Sequence, residues 1–209
     1  MKSLGAAGLE LSKLQVGVDV PWVTSWTAEP VFGVGPCPTT DGRLSVLQRE
    51  RPGHGKPQYS MNHHVRQRAS VRGLLCPMCG RPAPRGDRWS LTAHETTAGA
   101  LRRGALAFAV PGDIEDARVV LNAGAISPGH LSCMERSHRL CPHLAADAAA
   151  ELRPFPETWY VSLLQITPEP APPNAALRLA PAAPAPPVVA FLQLCGITDR
   201  TDRKWRARS

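Results

Sequence analysis

Aromatic residues make up only 5% of this 209-residue chain, which argues that much of it is not core. No apolar run approaches the ~20 residues that a membrane-spanning helix needs. The first residues, Met1-Lys2-Ser3-Leu4-Gly5-Ala6-Ala7-Gly8-Leu9-Glu10, reach a charge before an apolar stretch of signal-peptide length has formed. A cytoplasmic location is therefore expected. In that reducing setting six cysteines read as metal ligands more readily than as disulfides. Acids are fewer than bases, 17 against 24, giving a net charge of +7. That balance permits a polyanionic partner without requiring one.

Proline, by contrast, is abundant, with 22 residues. It is densest from Pro168 to Pro187, a composition that predicts an extended, disordered arm followed by a basic tail with Trp205. Three regions are expected: a strand and loop region over 1–61, a metal-binding α+β core over 62–167, and the Pro-rich linker and tail over 168–209. Strands are predicted near 16–26, where Trp22 and Trp26 read as caps on a small core more readily than as a binding surface. Others are predicted at 43–49, 88–94, 105–110, 118–122 and 158–166. The last is the clearest and long enough to sit centrally in a sheet. Helices are expected from Asn62 as N-cap to Gly73, over 132–140, and from Pro142 to Leu152. Val188–Cys195 reads as a brief apolar piece of the tail.

Two stretches carry the chemistry. Cys76-Pro77-Met78-Cys79-Gly80 is a CxxC turn closed by glycine, and His130-Leu131-Ser132-Cys133 is an HxxC that can open a helix. Three thiolates and one imidazole form the ligand set of a closed tetrahedral zinc site. A ligand-bearing turn, intervening strands and a ligand-bearing helix start predict a small treble-clef-like domain of few antiparallel strands. Cys141 and His143 form a competing CxH pair that could replace His130 or Cys133. Cys37, between two prolines, reads as a free thiol.

These residues also resemble a family of uncharacterised proteins from high-GC Gram-positive bacteria and their phages. The likeness rests on Arg66-Gln67-Arg68, on Leu75-Cys76-Pro77-Met78-Cys79-Gly80-Arg81-Pro82-Ala83, on Pro128 to Cys133, and on Arg139-Leu140-Cys141-Pro142-His143-Leu144. A looser echo lies at Pro21 to Trp26. The resemblance implies that Cys76, Cys79, His130 and Cys133 are metal ligands, and it brings no activity with it.

From residue 60 to residue 90 six arginines (Arg66, Arg68, Arg72, Arg81, Arg85 and Arg88) face one acid, Asp87. They are the candidate nucleic-acid contacts, weighed against a solvated face whose stems cover apolar surface. The expected function is a zinc-stabilised, non-catalytic binding or accessory protein, with nucleic acid or protein as partner and no membrane. An HNH-type nuclease using His138 is the weaker alternative, because no base-bearing His pair stands one hairpin before the helix.

Overall fold

A computed structural model describes residues 10–104, 110–146, 150–166 and 186–197. The chain is a mixed α+β structure. Among the described residues the strands are β1 (Thr24–Trp26), β2 (Val31–Pro36), β3 (Leu44–Gln48), β4 (Pro57–Asn62), β5 (Trp89–Ser90), β6 (His94–Thr97), β7 (Val119–Gly124), β8 (Arg153–Pro154), β9 (Thr158–Ile166) and β10 (Val188–Ile197). Its helices are α1 (His64–Gly73), α2 (Ala98–Arg103), α3 (Leu131–Leu140) and α4 (Pro142–Ala146). None is long and apolar enough to cross a membrane. The proline-rich arm over 167–185, the tail beyond Ile197 and most of the strand predicted at 105–110 lie outside the described residues. So do residues 147–149, and the helix predicted from Pro142 stops at Ala146 before them.

The largest correction to the sequence reading concerns Val188–Ile197. This stretch is the central strand of a six-stranded sheet and not part of a tail. Eight of its ten residues, all but Phe191 and Ile197, are buried, Val189, Leu192, Leu194 and Cys195 among them, as a strand covered on both faces requires. β9 runs antiparallel along its full length on one edge, from Val188↔Ile166 to Ile197↔Thr158. Val189 pairs with both Gln165 and Ser45, while Cys195 pairs with both Tyr160 and Asn122. β3 and β7 must therefore share the other edge of β10, one near its start and one near its end. β2 and β6 continue outward from them. β9, expected centrally, borders only β10 among the described strands.

Between β3 and β7 the edge of β10 is open, and its buried peptide groups need partners. Helix α1 supplies them. The Gln67 carboxamide accepts from Leu192 N (3.0 Å) and donates to Leu192 O (2.8 Å) and Ala125 O (2.7 Å). Arg68 donates to Ala190 O (2.9 Å) and, across the fork, to Val46 O (2.7 Å). Arg66 pairs through both terminal nitrogens with the carboxylate of Glu29, at 2.6 and 2.7 Å, and donates to Thr24 O. Arg66 and Arg68 are 1% and 0% exposed. This excludes both from a nucleic-acid surface. The Arg-Gln-Arg triplet is a set of polar pegs that joins helix to sheet.

Truncating the middle peg should therefore matter. Gln67→Ala leaves the buried Leu192 N–H and C=O without partners and removes a half-buried bond to Ala125 O, at about 1–3 kcal/mol for an orphaned group. Urea unfolding should show a loss of about 2–3 kcal/mol. A loss below about 0.5 kcal/mol would mean that water replaces the carboxamide and that the fork needs no peg.

α1 is capped by His63, where Asn62 was expected, and ends with Leu74 in the left-handed region at φ 47°. The fully buried His63 ring accepts from Arg66 N at Nδ1 and donates from Nε2 to Arg49 O (3.1 Å). Burial, reinforced by the Arg66 charge, presses its pKa down to about 4. The unfolded imidazole gains its proton near pH 6.5, the folded one only near 4, so in that window the unfolded chain binds more protons. Stability should fall as pH drops through it, by on the order of 3 kcal/mol in full. Urea melts across the window should show this slope in the native protein and a shallower one in His63→Asn. Equal slopes would refute the assignment.

The described residues pack into four apolar clusters, two of which border the CxxC turn and α1. Val71 and Leu74 of α1 meet Leu121, Val189, Leu192, Leu194 and Phe155 over the sheet. Cys76, Met78, Leu91 and Met134 form a second cluster around the CxxC turn. Trp26 is fully buried, in line with a core role, and ends β1, where it pairs with Pro57 of β4.

Candidate metal centre

The CxxC segment folds as a tight turn because its backbone closes on itself. Leu75 bridges Pro82, Cys76 N donates to Arg81 O (2.7 Å), and Gly80 N donates to Cys76 O (2.8 Å). Gly80 has φ 75°, and a Cβ there would stand 2.9 Å from the Trp22 indole. Glycine is required on both counts. Trp22 N and Val23 N in turn donate to Met78 O and Pro77 O, so the segment before β1 lies along the turn.

The second half-site comes from the start of α3. Gly129 exchanges two backbone hydrogen bonds with Trp89, which holds the Pro128-Gly129-His130 approach against β5. A Cβ at Gly129 would fall 2.8 Å from Cys76 Sγ and 2.5 Å from the Met134 methyl. Only glycine lets the two halves meet this closely. His130 occupies the N-cap position without using its ring as a cap, leaving the imidazole for other work. The first exposed amide of the helix, Leu131 N, is instead capped by Asp87 Oδ1 (2.7 Å).

The result is a cluster in which the donor atoms of Cys76, Cys79, His130 and Cys133 all lie within 4.8 Å of one another. This set can hold a metal ion. His130 Nε2–H donates to Pro82 O (3.0 Å), which fixes the tautomer and leaves the Nδ1 lone pair facing Cys79 Sγ at 3.5 Å. Cys76 is buried and the other three are half-buried. Burial raises the Cys76 thiol, against amide donors from Cys79, His130 and Met78. Burial, with the like charges of Cys76 and Cys79, pushes Cys133 up to about 12. Three thiolates cannot share so small a volume by themselves. A cation would reverse that repulsion.

No family model, curated protein or solved structure matches the chain. Its own side chains carry the functional reading.

Among the described residues this is the one cluster of its kind, and Cys141 stands outside it as the C-cap of α3. The His143 side chain lies outside the described residues. Cys37 is also apart, with its sulfur 3.1 Å from Thr39 Oγ1 and 3.8 Å from Arg68 Nη2. His138 faces a separate cleft with Glu135 and Arg139.

The six-arginine surface does not assemble. With Arg66 and Arg68 internal, Arg72 pairs with Asp41 Oδ1 (2.5 Å) and Arg85 lies 3.7 Å from Glu157. Arg88 donates to Ala83 O and stacks over the Trp159 ring at 5.1 Å. Arg81 is exposed. Two supporting groups were missed in the sequence, the Asp87 cap and the Pro82 carbonyl. An acid immediately before a predicted strand gives no hint that it caps a helix 44 positions later.

Proposed function

We propose that Cys76, Cys79, His130 and Cys133 hold one structural zinc ion and that the chain is a non-catalytic binding protein built on that staple. The 3.5 Å between Cys79 Sγ and His130 Nδ1 carries the metal reading. Zinc bonds of ~2.3 Å to sulfur and ~2.0–2.1 Å to nitrogen give a tetrahedral S···N edge of about 3.6 Å. The four donors also complete a tetrahedron, so no position remains for water or substrate, and the metal supports folding rather than catalysis. The arrangement is treble-clef-like: the CxxC turn, the antiparallel β6–β7 pair with α2 inserted, then the ligand-bearing start of α3. Free thiols throughout the described cysteines suit a reducing cytoplasm.

Protein is favoured over nucleic acid as partner. Two of the six arginines are internal and three of the rest contact Asp41, Glu157 or Trp159, so the six do not form one free patch for phosphates. Elemental analysis of full-length protein purified without chelator should find about one zinc per chain, reduced severalfold in Cys133→Ser. Metal-free protein with an unchanged fold would reject the staple.

A further inference from the structure

Behind the metal centre lies a cleft of about 280 Å³ that the staple leaves unused. One wall is the back of the centre itself: Pro77 and Met78, the residues between the first two thiols, and Met134, next to Cys133. Among the described residues no Asp, Glu, Lys, Arg or His lines it. Phosphates, carboxylates and cations would lose their hydration there without gaining a counter-charge, so the occupant is neutral. A dry cavity of ~150 Å³ accommodates benzene, so this one has room for two fused rings. The Met78 and Met134 thioethers suit the edge of such a ring. Asn62 and Thr92 line the cleft with side chains that hydrogen-bond no described residue, and the Asn62 carboxamide can accept from an indole N–H.

The mouth of the cleft distinguishes a protein from a free molecule. Tyr59 and Ile126 stand in its lining yet are 64% and 38% exposed. A small ligand seated inside would leave this apolar collar wet. A protein surface would cover it, with the pocket taking one central anchor.

We propose that the cleft docks an uncharged aromatic side chain, an indole by its volume, presented by an apolar segment of a protein partner. The inference rests on the reading of the chain as a metal-stapled binding protein. It also places the partner against the residues that the metal orders.

The test uses the full-length, metal-loaded chain and a random-peptide display library. Enriched peptides are then measured by fluorescence polarisation against the native chain, Tyr59→Glu and Ile126→Glu. Both substitutions lie at exposed positions away from the ligands, and metal content and melting temperature check that each variant folds. The expected peptides share a Trp or Phe among apolar neighbours. They should lose about tenfold or more in affinity on Ile126→Glu, or when that aromatic becomes Ala, one decade being about 1.4 kcal/mol. N-acetyl-tryptophanamide should compete only far more weakly. Peptides without an aromatic, binding unchanged in both folded variants, or no enrichment on a metal-loaded chain would overturn the proposal. Free indole binding as tightly as any peptide would assign the cleft to a small molecule and overturn the partner. A chain that carries no metal would instead defeat the staple reading, so the two failures are distinguishable.

Discussion

Stripping the metal is expected to unfold the turn, the start of α3 and the segment around Trp22 together. The second packed cluster consists of Cys76, Met78, Leu91 and Met134, with Trp89 and Leu144 against it, so the centre is most of its own core. The segment before β1 depends on the same turn. Trp22 N and Val23 N bond to it, Arg136 donates to Gly17 O (3.0 Å), and the Trp22 indole lies over Gly80. Structural zinc is worth about 10–16 kcal/mol in small zinc-binding peptides, comparable to the whole stability of an ordinary domain. The melting temperature should therefore fall by at least about 10 °C, at roughly 2–4 °C per kcal/mol for a chain of this size. Tryptophan emission should shift red as Trp22 and Trp89 meet water. The sheet has a separate core and should retain part of its circular dichroism at low temperature. Unchanged melting and emission in verified metal-free protein would show that packing alone holds the turn.

Removing Arg66 should be the most damaging single change away from the metal. Glu29 is 2% exposed, and burial alone would raise its carboxyl pKa. The Arg66 pair, with the Arg51 amide, holds it below the usual value instead. Arg66→Met deletes the guanidinium and leaves that carboxylate with only the Trp26 and Arg51 amides as donors. Breaking a buried pair from one side costs about 3–5 kcal/mol. Urea unfolding near neutral pH should show such a loss, whereas the surface control Arg72→Met should stay within about 0.5 kcal/mol. Replacing both partners, Arg66→Met with Glu29→Leu, should recover much of it, because no uncompensated charge remains. The pH dependence provides a check of sign. In the native protein the lowered Glu29 pKa contributes stability above the unfolded carboxyl pKa, which is lost as pH falls through the folded value. In Arg66→Met the buried carboxyl should instead take up a proton more readily than in the unfolded chain, and the deficit should shrink on acidification. A deficit that stays constant with pH would show that Glu29 is not the group left unpaired.

The distribution of what was legible follows from the range of the interactions. Segments whose partners are their own neighbours were readable. β3 and β9 appear within the stretches 43–49 and 158–166 predicted as strands, and α3 follows its HxxC with a shift of one residue. The four ligands converge as their residue types and spacing suggested, because a turn and a helix start set the local geometry and only one approach between them is needed. Composition assigns Val188–Cys195 to the tail, although an apolar run of strand length bounded by Pro187 and Gly196 is itself a signal for a buried strand. A composition average over 168–209 hides that run.

The arginines mark the limit. By itself the sequence determined the donor set, the two short segments that carry it and the mixed α+β class, since bonding chemistry and backbone periodicity act over a few residues. It could not determine whether a charged side chain faces water. Arg66, Gln67 and Arg68 look like a solvated helix face, and on the surface of another fold they would be one. Here a central strand over 120 residues away has a gap in its edge, and Glu29 comes from the opposite direction. Only the tertiary structure brings that gap and that carboxylate to the helix, and the need to satisfy buried backbone groups and one buried charge turns the three polar residues inward.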